Sequence, residues 1–341
     1  MIESIPFKQG FSMNVRDRIQ AVLNFQHADR LPCVEWASWW DLTIKRWLGE
    51  GLPAGMNGIE TQKYFGLDPL VQQWFGSCTG PIPKPKFFGG PILSTMEEYV
   101  QYHDQKSLHN ADAIRWDMYD RYKKEHENGD VAFWMTFEGF FWFPRTMLGI
   151  EPHLYSFYDQ PELLHRMNRD QTDFCLKVLE KVTKHHDIEF MTLAEDMSYN
   201  HGPMLSKEHF DEFLLPYYKE LVPAIQSHGI KVLIDSDGDI SDCLAWFREA
   251  GIEGILPLEH MAGVDVNNLR ARYPDAVFFG GYDKRVIHLG EQAIRQEFER
   301  ILPAMKSGGF IPSVDHQTPP DVDIDTYRLY VSILKEYAAS V

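Results

Sequence analysis

The sequence predicts one (β/α)8 barrel, a TIM barrel, over residues 29–341, with a helical extension over 1–28 and insertions in its first half. Three observations carry this. The second half alternates short apolar runs with helical patterns five times in succession. Those runs are apolar on both faces, as strands of a parallel sheet covered on both sides must be. No glycine-rich dinucleotide loop follows an early strand, which sets aside the doubly wound nucleotide fold.

In chain order, "LPCVEW" (31–36) and "VAFWMTF" (131–137) read as strands. Between them, Leu42 to Ile82 and Pro91 to Glu127 read as inserted helices and loops. "IEFMTLA" (188–194) is the next strand. A helix capped by Ser206 follows, with apolar positions from Phe210 to Ile225 at helical spacing and Gly229 as its stop. "IKVLI" (230–234), "GILPL" (254–258), "AVFFG" (276–280) and "GFIPSV" (309–314) are strands. Helices separate them, among them Ile240 to Phe247 and Glu291 to Met305, and a last amphipathic helix follows Asp325.

Bulk composition narrows the class. A 44% hydrophobic, 24% charged chain is ordinary for a soluble globular protein. A formal net charge of −17 argues against nucleic acid and anionic membrane as partners, since both attract basic patches. No apolar run approaches the ~20 residues needed to span a bilayer. The opening "MIESIPFKQG" lacks the blocks of a secretory signal. Cys33, Cys78, Cys175 and Cys243 form no CxxC pair, so reduced thiols in the cytoplasm are expected.

In a barrel of this type the active site lies at the C-terminal ends of the strands. Those ends are crowded with chemistry: Glu35; Glu138; Glu195, Asp196 and His201; Asp235 and Asp237; Glu259 and His260; Asp283; Asp315 and His316. One acidic strand end is ordinarily a helix cap or a solvated loop. So many at one mouth repel one another and call for a compensating cation. Aromatic residues, 13% of the chain, gather in "EWASWWD" (35–41), "QQWFG" (72–76) and "FWMTFEGFFWFPR" (133–145). Any single one reads as core; together, beside strand ends, they fit a pocket for a flat apolar ligand.

At "KVLIDSDGDI", "FFGGYDKR", "GPMLSKEHFDEFLLPYYKEL" and "SGGFIPSVDHQTPPDVDIDTYRLYVSILKEY" the chain resembles the uroporphyrinogen decarboxylase superfamily. That superfamily includes cobalamin-dependent methyltransferases serving methanol, methylamine and methyl ethers, and its fold is a (β/α)8 barrel. Two departures choose the branch. Where the decarboxylases carry an arginine-bearing segment for a polycarboxylate, this chain reads "VEWASWWDLTIKRW", with Glu35 and Asp41. Where the thiol-methylating branch binds zinc through His-x-Cys-Gly and a Cys before a Pro-Pro pair, this chain has Asp235-Ser236-Asp237-Gly238 and His316.

The resemblance therefore implies a divalent metal, expected to be zinc, on Asp235, Asp237 and His316, with Glu259 as an additional ligand. Oxygen-rich ligation leaves a harder, more Lewis-acidic ion, suited to an ether oxygen rather than a thiol. The expected activity is demethylation of a small methoxylated compound, an aryl methyl ether, with the methyl passing to a corrinoid protein. No corrinoid-binding motif occurs in the chain, so cobalamin is expected on that partner. Glu195, Asp196 or His201 would be the general acid, and Glu35, Trp36, Trp39, Trp40 and Tyr199 would bind substrate. The alternative is a decarboxylase of a small or aromatic acid on the same scaffold.

Overall fold

The structure, a computed structural model, describes residues 12–341; the opening "MIESIPFKQG" lies outside them. Seven parallel strands form one curled sheet in chain order: β1 Leu70–Phe75, β2 Ala132–Glu138, β3 Phe190–Ala194, β4 Lys231–Asp235, β5 Gly254–Leu256, β6 Val277–Tyr282 and β7 Phe310–Val314. Helices fill most of the crossovers, and β2, β3, β6 and β7 are buried along nearly their whole length, as the apolar runs require. Register levels the C-terminal ends into one rim, with Glu138 beside Ala194, Ala194 beside Asp235 and Asp235 beside Leu256.

Two expectations about the first half are corrected. β1 falls inside the stretch read as helices and loops, because Gln72 and Gln73 interrupt its apolar pattern. "LPCVEW" is extended but joins no ladder. Pro32 offers no N–H, and the segment is held from both sides individually. On the β1 side the Asp68 N–H donates to the Cys33 carbonyl at 2.7 Å and the Cys33 N–H to Asp68 Oδ2 at 2.8 Å. On the β7 side Ser313 Oγ donates to the Val34 carbonyl at 3.0 Å and Trp36 Nε1 to the Val314 carbonyl at 2.7 Å.

Asp68 is also the electrostatic anchor of the N-terminal region. Arg30 grips its two oxygens at 2.6 and 2.8 Å, and Arg18, from the helix Val15–Leu23, reaches Oδ1 at 3.1 Å. A bidentate guanidinium matches a carboxylate in geometry as well as charge, which fixes the helix and the 31–36 segment to the entry of β1.

In the second half the expected strands lie within one or two residues of their predicted places. The Ser206-capped helix is broken in two, Lys207–Phe213 and Leu215–Gln226, because Pro216 removes an amide at the junction. Gly229 stops the second at φ +76°. Among the described residues no helix is long and apolar enough to cross a membrane.

Candidate active site at the strand ends

The stretch "DSDG" after β4 is a turn and more. Gly238 takes φ +83°, and an added Cβ there would lie 2.7 Å from the Tyr199 backbone. Only glycine lets the small hairpin Ser198–Tyr199/Gly202–Pro203 close over the turn, and the Asp239 N–H then donates to the Tyr199 carbonyl at 2.9 Å.

Around this turn the carboxylates have sharply different surroundings. Glu195 is fully buried and accepts three backbone amides, from Phe140, Phe141 and Trp142, at 2.8, 2.7 and 3.1 Å. It satisfies the first turn of the helix Trp142–Leu148, and it fits because residue 139 is glycine: a Cβ there would lie 2.2 Å from the Glu195 carboxyl carbon. Burial pushes its carboxyl up to about 8, against the pull of the three amides. With its acceptors spent on amides, Glu195 serves the architecture rather than the substrate.

Asp196, at φ +39°, turns the chain so that its side chain joins the β4 turn. Asp is one of the few side chains that tolerate this left-handed backbone. Its Oδ1 accepts the Asp237 N–H at 3.2 Å. Arg145 donates to the Asp196 carbonyl at 2.7 Å and lies 3.6 Å from Oδ2, with its guanidinium 4.5 Å over the Trp142 ring. Glu259 Oε2 accepts the Gly238 N–H at 2.8 Å. Lys284, on the loop after β6, donates to Asp315 at 3.1 Å, and Asp315 also accepts the His260 N–H at 3.1 Å.

Asp237 stands at the centre of this ring, with His316 Nε2 3.6 Å from its Oδ2. Burial pushes the Asp237 carboxyl up to about 7; the charges of Asp196 and Glu259 add to the rise, while Lys284 and Arg145 oppose it. Burial and the Lys284 charge hold the His316 imidazole below its ordinary value. His316 Nδ1 accepts the Gln317 N–H at 2.8 Å, which leaves the proton of the neutral ring on Nε2, facing Asp237.

Beside the ring opens a cleft of about 320 Å3, walled by Trp36, Trp74 and Trp134 with Gln72 and Met118, and bordered by Asp235 and His316. The volume lies near the lower end of the roughly 300–1,000 Å3 typical of small-molecule sites. Among the described residues lining it, none is Lys or Arg. A larger groove of about 600 Å3, edged by Lys177, Lys181 and His109, belongs to the outer wall of the helix Pro161–Thr183 and shares no residue with the strand-end ring.

The expected metal set does not come together. Among the described residues no three His, Cys, Asp or Glu side chains are placed to hold an ion. Asp237 and His316 adjoin, but Glu259 is engaged by Gly238, His316 offers Asp237 an N–H rather than a lone pair, and Asp235 faces the cleft.

Of the residues expected to bind substrate, Trp36 lines the cleft, edge-on to His316 at 6.0 Å. Glu35 does not: it is 1% exposed and accepts the Tyr327 hydroxyl at 2.8 Å in the core. Trp39 packs against Trp47, Phe65 and Tyr327, also in the core. Trp40 is exposed at the start of the helix Asp41–Gly49, outside the cleft lining. Tyr199 and His201 sit edge to face, 5.6 Å apart, exposed on the hairpin and outside that lining. Trp74 and Trp134 come from the aromatic clusters that the sequence offered as a pocket, whereas Arg145 and Lys284 were not among the expected site residues. The signal for these two was present as cations directly after strand ends in "FFWFPR" and "GGYDKR".

Comparison with known proteins now decides the family. The profile of the family described as Uroporphyrinogen decarboxylase (URO-D) matches residues 90–337, more than half of the chain. The chain belongs to the uroporphyrinogen decarboxylase family. Curated members it resembles include the uroporphyrinogen decarboxylases of Chlorobium limicola, 28% identical over 142 residues, and of Pseudomonas putida, 26% identical over 195. These matches span 40% and 53% of this chain, and 39% and 51% of those relatives' own lengths. Among solved structures, a methyltransferase from Methanosarcina mazei superposes with a TM-score of 0.63 over 95% of this chain and 99% of its own, at 14% identity. At that identity the likeness speaks for the fold alone, and it agrees with the family's.

Proposed function

We propose that this family member is a methyltransferase that demethylates a small methoxylated aromatic compound, with the methyl group passing to the reduced corrinoid of a partner protein. The observation that carries this reading is the cleft: tryptophan-walled, sized for one aromatic ring, without a lysine or arginine in its lining, and bordered by His316, whose Nε2 lies 3.6 Å from Asp237. A polycarboxylated tetrapyrrole would meet like charge and little room there. The same reading closes the sheet into a (β/α)8 barrel, with residues 31–36 as the eighth stave between β1 and β7.

In the proposed reaction the methyl carbon–oxygen bond breaks, and its electron pair stays on oxygen while the reduced corrinoid takes the methyl. The departing aryloxide needs a proton, and Asp237 keeps one up to about neutral pH because burial and its acidic neighbours raise its carboxyl to about 7. A general acid works best with a pKa near the operating pH. The His316 Nε2–H faces the carboxylate left behind, and Arg145 and Lys284 limit the accumulated negative charge. Trp36, Trp74 and Trp134 hold the ring.

A second reading, decarboxylation of a small aromatic acid, draws on the curated relatives and on Arg145 and Lys284, which could hold a carboxylate if released from Asp196 and Asp315. Incubation of the protein with a reduced corrinoid protein and either a methoxyphenol or an aromatic acid separates the two. Appearance of the demethylated phenol supports methyl transfer; carbon dioxide from the acid, with the ether untouched, rejects it.

A further inference from the structure

The strand-end carboxylates divide into those with partners and one without. Glu138 accepts the Ser77 N–H, Glu195 three amides, Asp196 the Asp237 N–H, Glu259 the Gly238 N–H, and Asp315 the Lys284 ammonium. Asp237 has His316 at 3.6 Å. The Asp235 side chain, among the described residues, has neither a hydrogen bond nor an ion pair. It ends β4 and borders the cleft between tryptophan walls. Asp235 is half-buried there, so its unpaired carboxyl is open to a ligand that enters the cleft.

We propose that Asp235 is a specificity-determining residue that accepts a hydrogen bond from a free hydroxyl on the aromatic ring, so that the substrate class is the methoxyphenols rather than fully capped methoxybenzenes. This rests on the methyl-ether reading above. The chemistry selects the group. The aromatic walls ask for a ring, the lining offers no cation for an anionic substituent, and the unpaired Asp235 carboxyl offers an oxygen to a donor. A phenol that also carries the methoxy group places its ether oxygen toward His316 and Asp237 while its hydroxyl meets Asp235.

The test compares two ligands that differ only in that hydroxyl, a methoxyphenol and the dimethoxybenzene that caps it, by quenching of tryptophan fluorescence in the full chain. Wild type should bind the phenol about tenfold or more tightly, the order expected when a site built for a hydroxyl is offered its capped analogue. Asp235→Ala should erase the preference by weakening the phenol and leaving the dimethoxybenzene within a few-fold. Equal wild-type affinities, or an undiminished preference in Asp235→Ala, overturn the proposal. The wild-type pair decides the matter even if the variant folds poorly. Failure of the function reading looks different: catechol and methoxyphenol would show the same Asp235-dependent preference, yet no methyl would move. Binding of neither compound overturns both.

Discussion

Replacing Glu35 by Gln should stabilise the protein at neutral and alkaline pH while leaving it nearly unchanged at pH 4.5. Glu35 is wholly buried, burial pushes its carboxyl up to about 8, and the Tyr327 hydroxyl bond opposes that rise only in part. Its second oxygen has no partner, which suits a protonated acid better than a carboxylate. Below pH 4.5 both folded and unfolded states carry the proton, and stability is at its full value. As pH rises toward 8 the unfolded chain releases that proton and the folded chain keeps it, so stability falls by about 1.4 kcal/mol per pH unit. The loss attributable to Glu35 approaches about 3 kcal/mol at pH 7 and about 5 kcal/mol near pH 8, as orders of magnitude. Gln keeps the shape and the acceptor for Tyr327 but does not titrate. Urea unfolding of both proteins at pH 5, 6, 7 and 8 isolates this term, because the other titrating groups cancel in the difference. The gap should widen steadily with pH. Parallel stability curves would refute the assignment of Glu35 to the core and reopen it as a substrate residue.

Other outcomes follow from the same geometry. Asp68→Ala strands Arg18 and Arg30 and should cost about 3–5 kcal/mol in urea unfolding, the usual effect of breaking a buried pair from one side. Gly139→Ala drives a methyl into the Glu195 carboxyl and should destabilise by roughly 1–3 kcal/mol, with the helix Trp142–Leu148 losing amide protection in hydrogen exchange. His201→Ala, on an exposed hairpin outside the cleft lining, should leave kcat and KM within about twofold of wild type. Methyl transfer should survive dialysis against a chelator, since the acid is a carboxyl; loss restored by zinc alone would return Asp235, Asp237 and His316 to the role of ligands.

The alternation of the second half was legible because its strands are apolar throughout and its helices end in glycine at Gly229 and Gly251. β1 was not, since Gln72 and Gln73 mimic a polar insertion, and Pro32 gave "LPCVEW" an extended backbone without a ladder. The crowding of acids at one rim was also legible, because a parallel sheet brings all its C-terminal ends together. Their individual roles were not. In "AEDMS" nothing distinguishes Glu195 from Asp196; the left-handed backbone at Asp196 sends one carboxyl to helix amides and the other to the β4 turn. Likewise Trp36 and Trp39 are three residues apart in one aromatic run, and only packing against Trp47 and Tyr327 assigns Trp39 to the core. Whether Asp235, Asp237, Glu259 and His316 converge depends on side-chain directions beyond the strand ends, which alternation no longer governs.

The central claim, that the Asp237 carboxyl protonates an aryl ether as its methyl leaves, is tested most directly by following the methyl itself. A methoxyphenol labelled in the methoxy carbon is mixed with the protein and a reduced corrinoid protein across pH 5.5–8.5, using wild type and Asp237→Asn. Label should appear on the corrinoid with wild type, its rate falling as pH rises through about 7, where Asp237 loses its proton. Asp237→Asn should bind the phenol normally and transfer the label about a hundredfold or more slowly, the usual loss on removing a general acid. Label transfer at the wild-type rate in Asp237→Asn, or a rate that climbs through pH 7, would contradict the account.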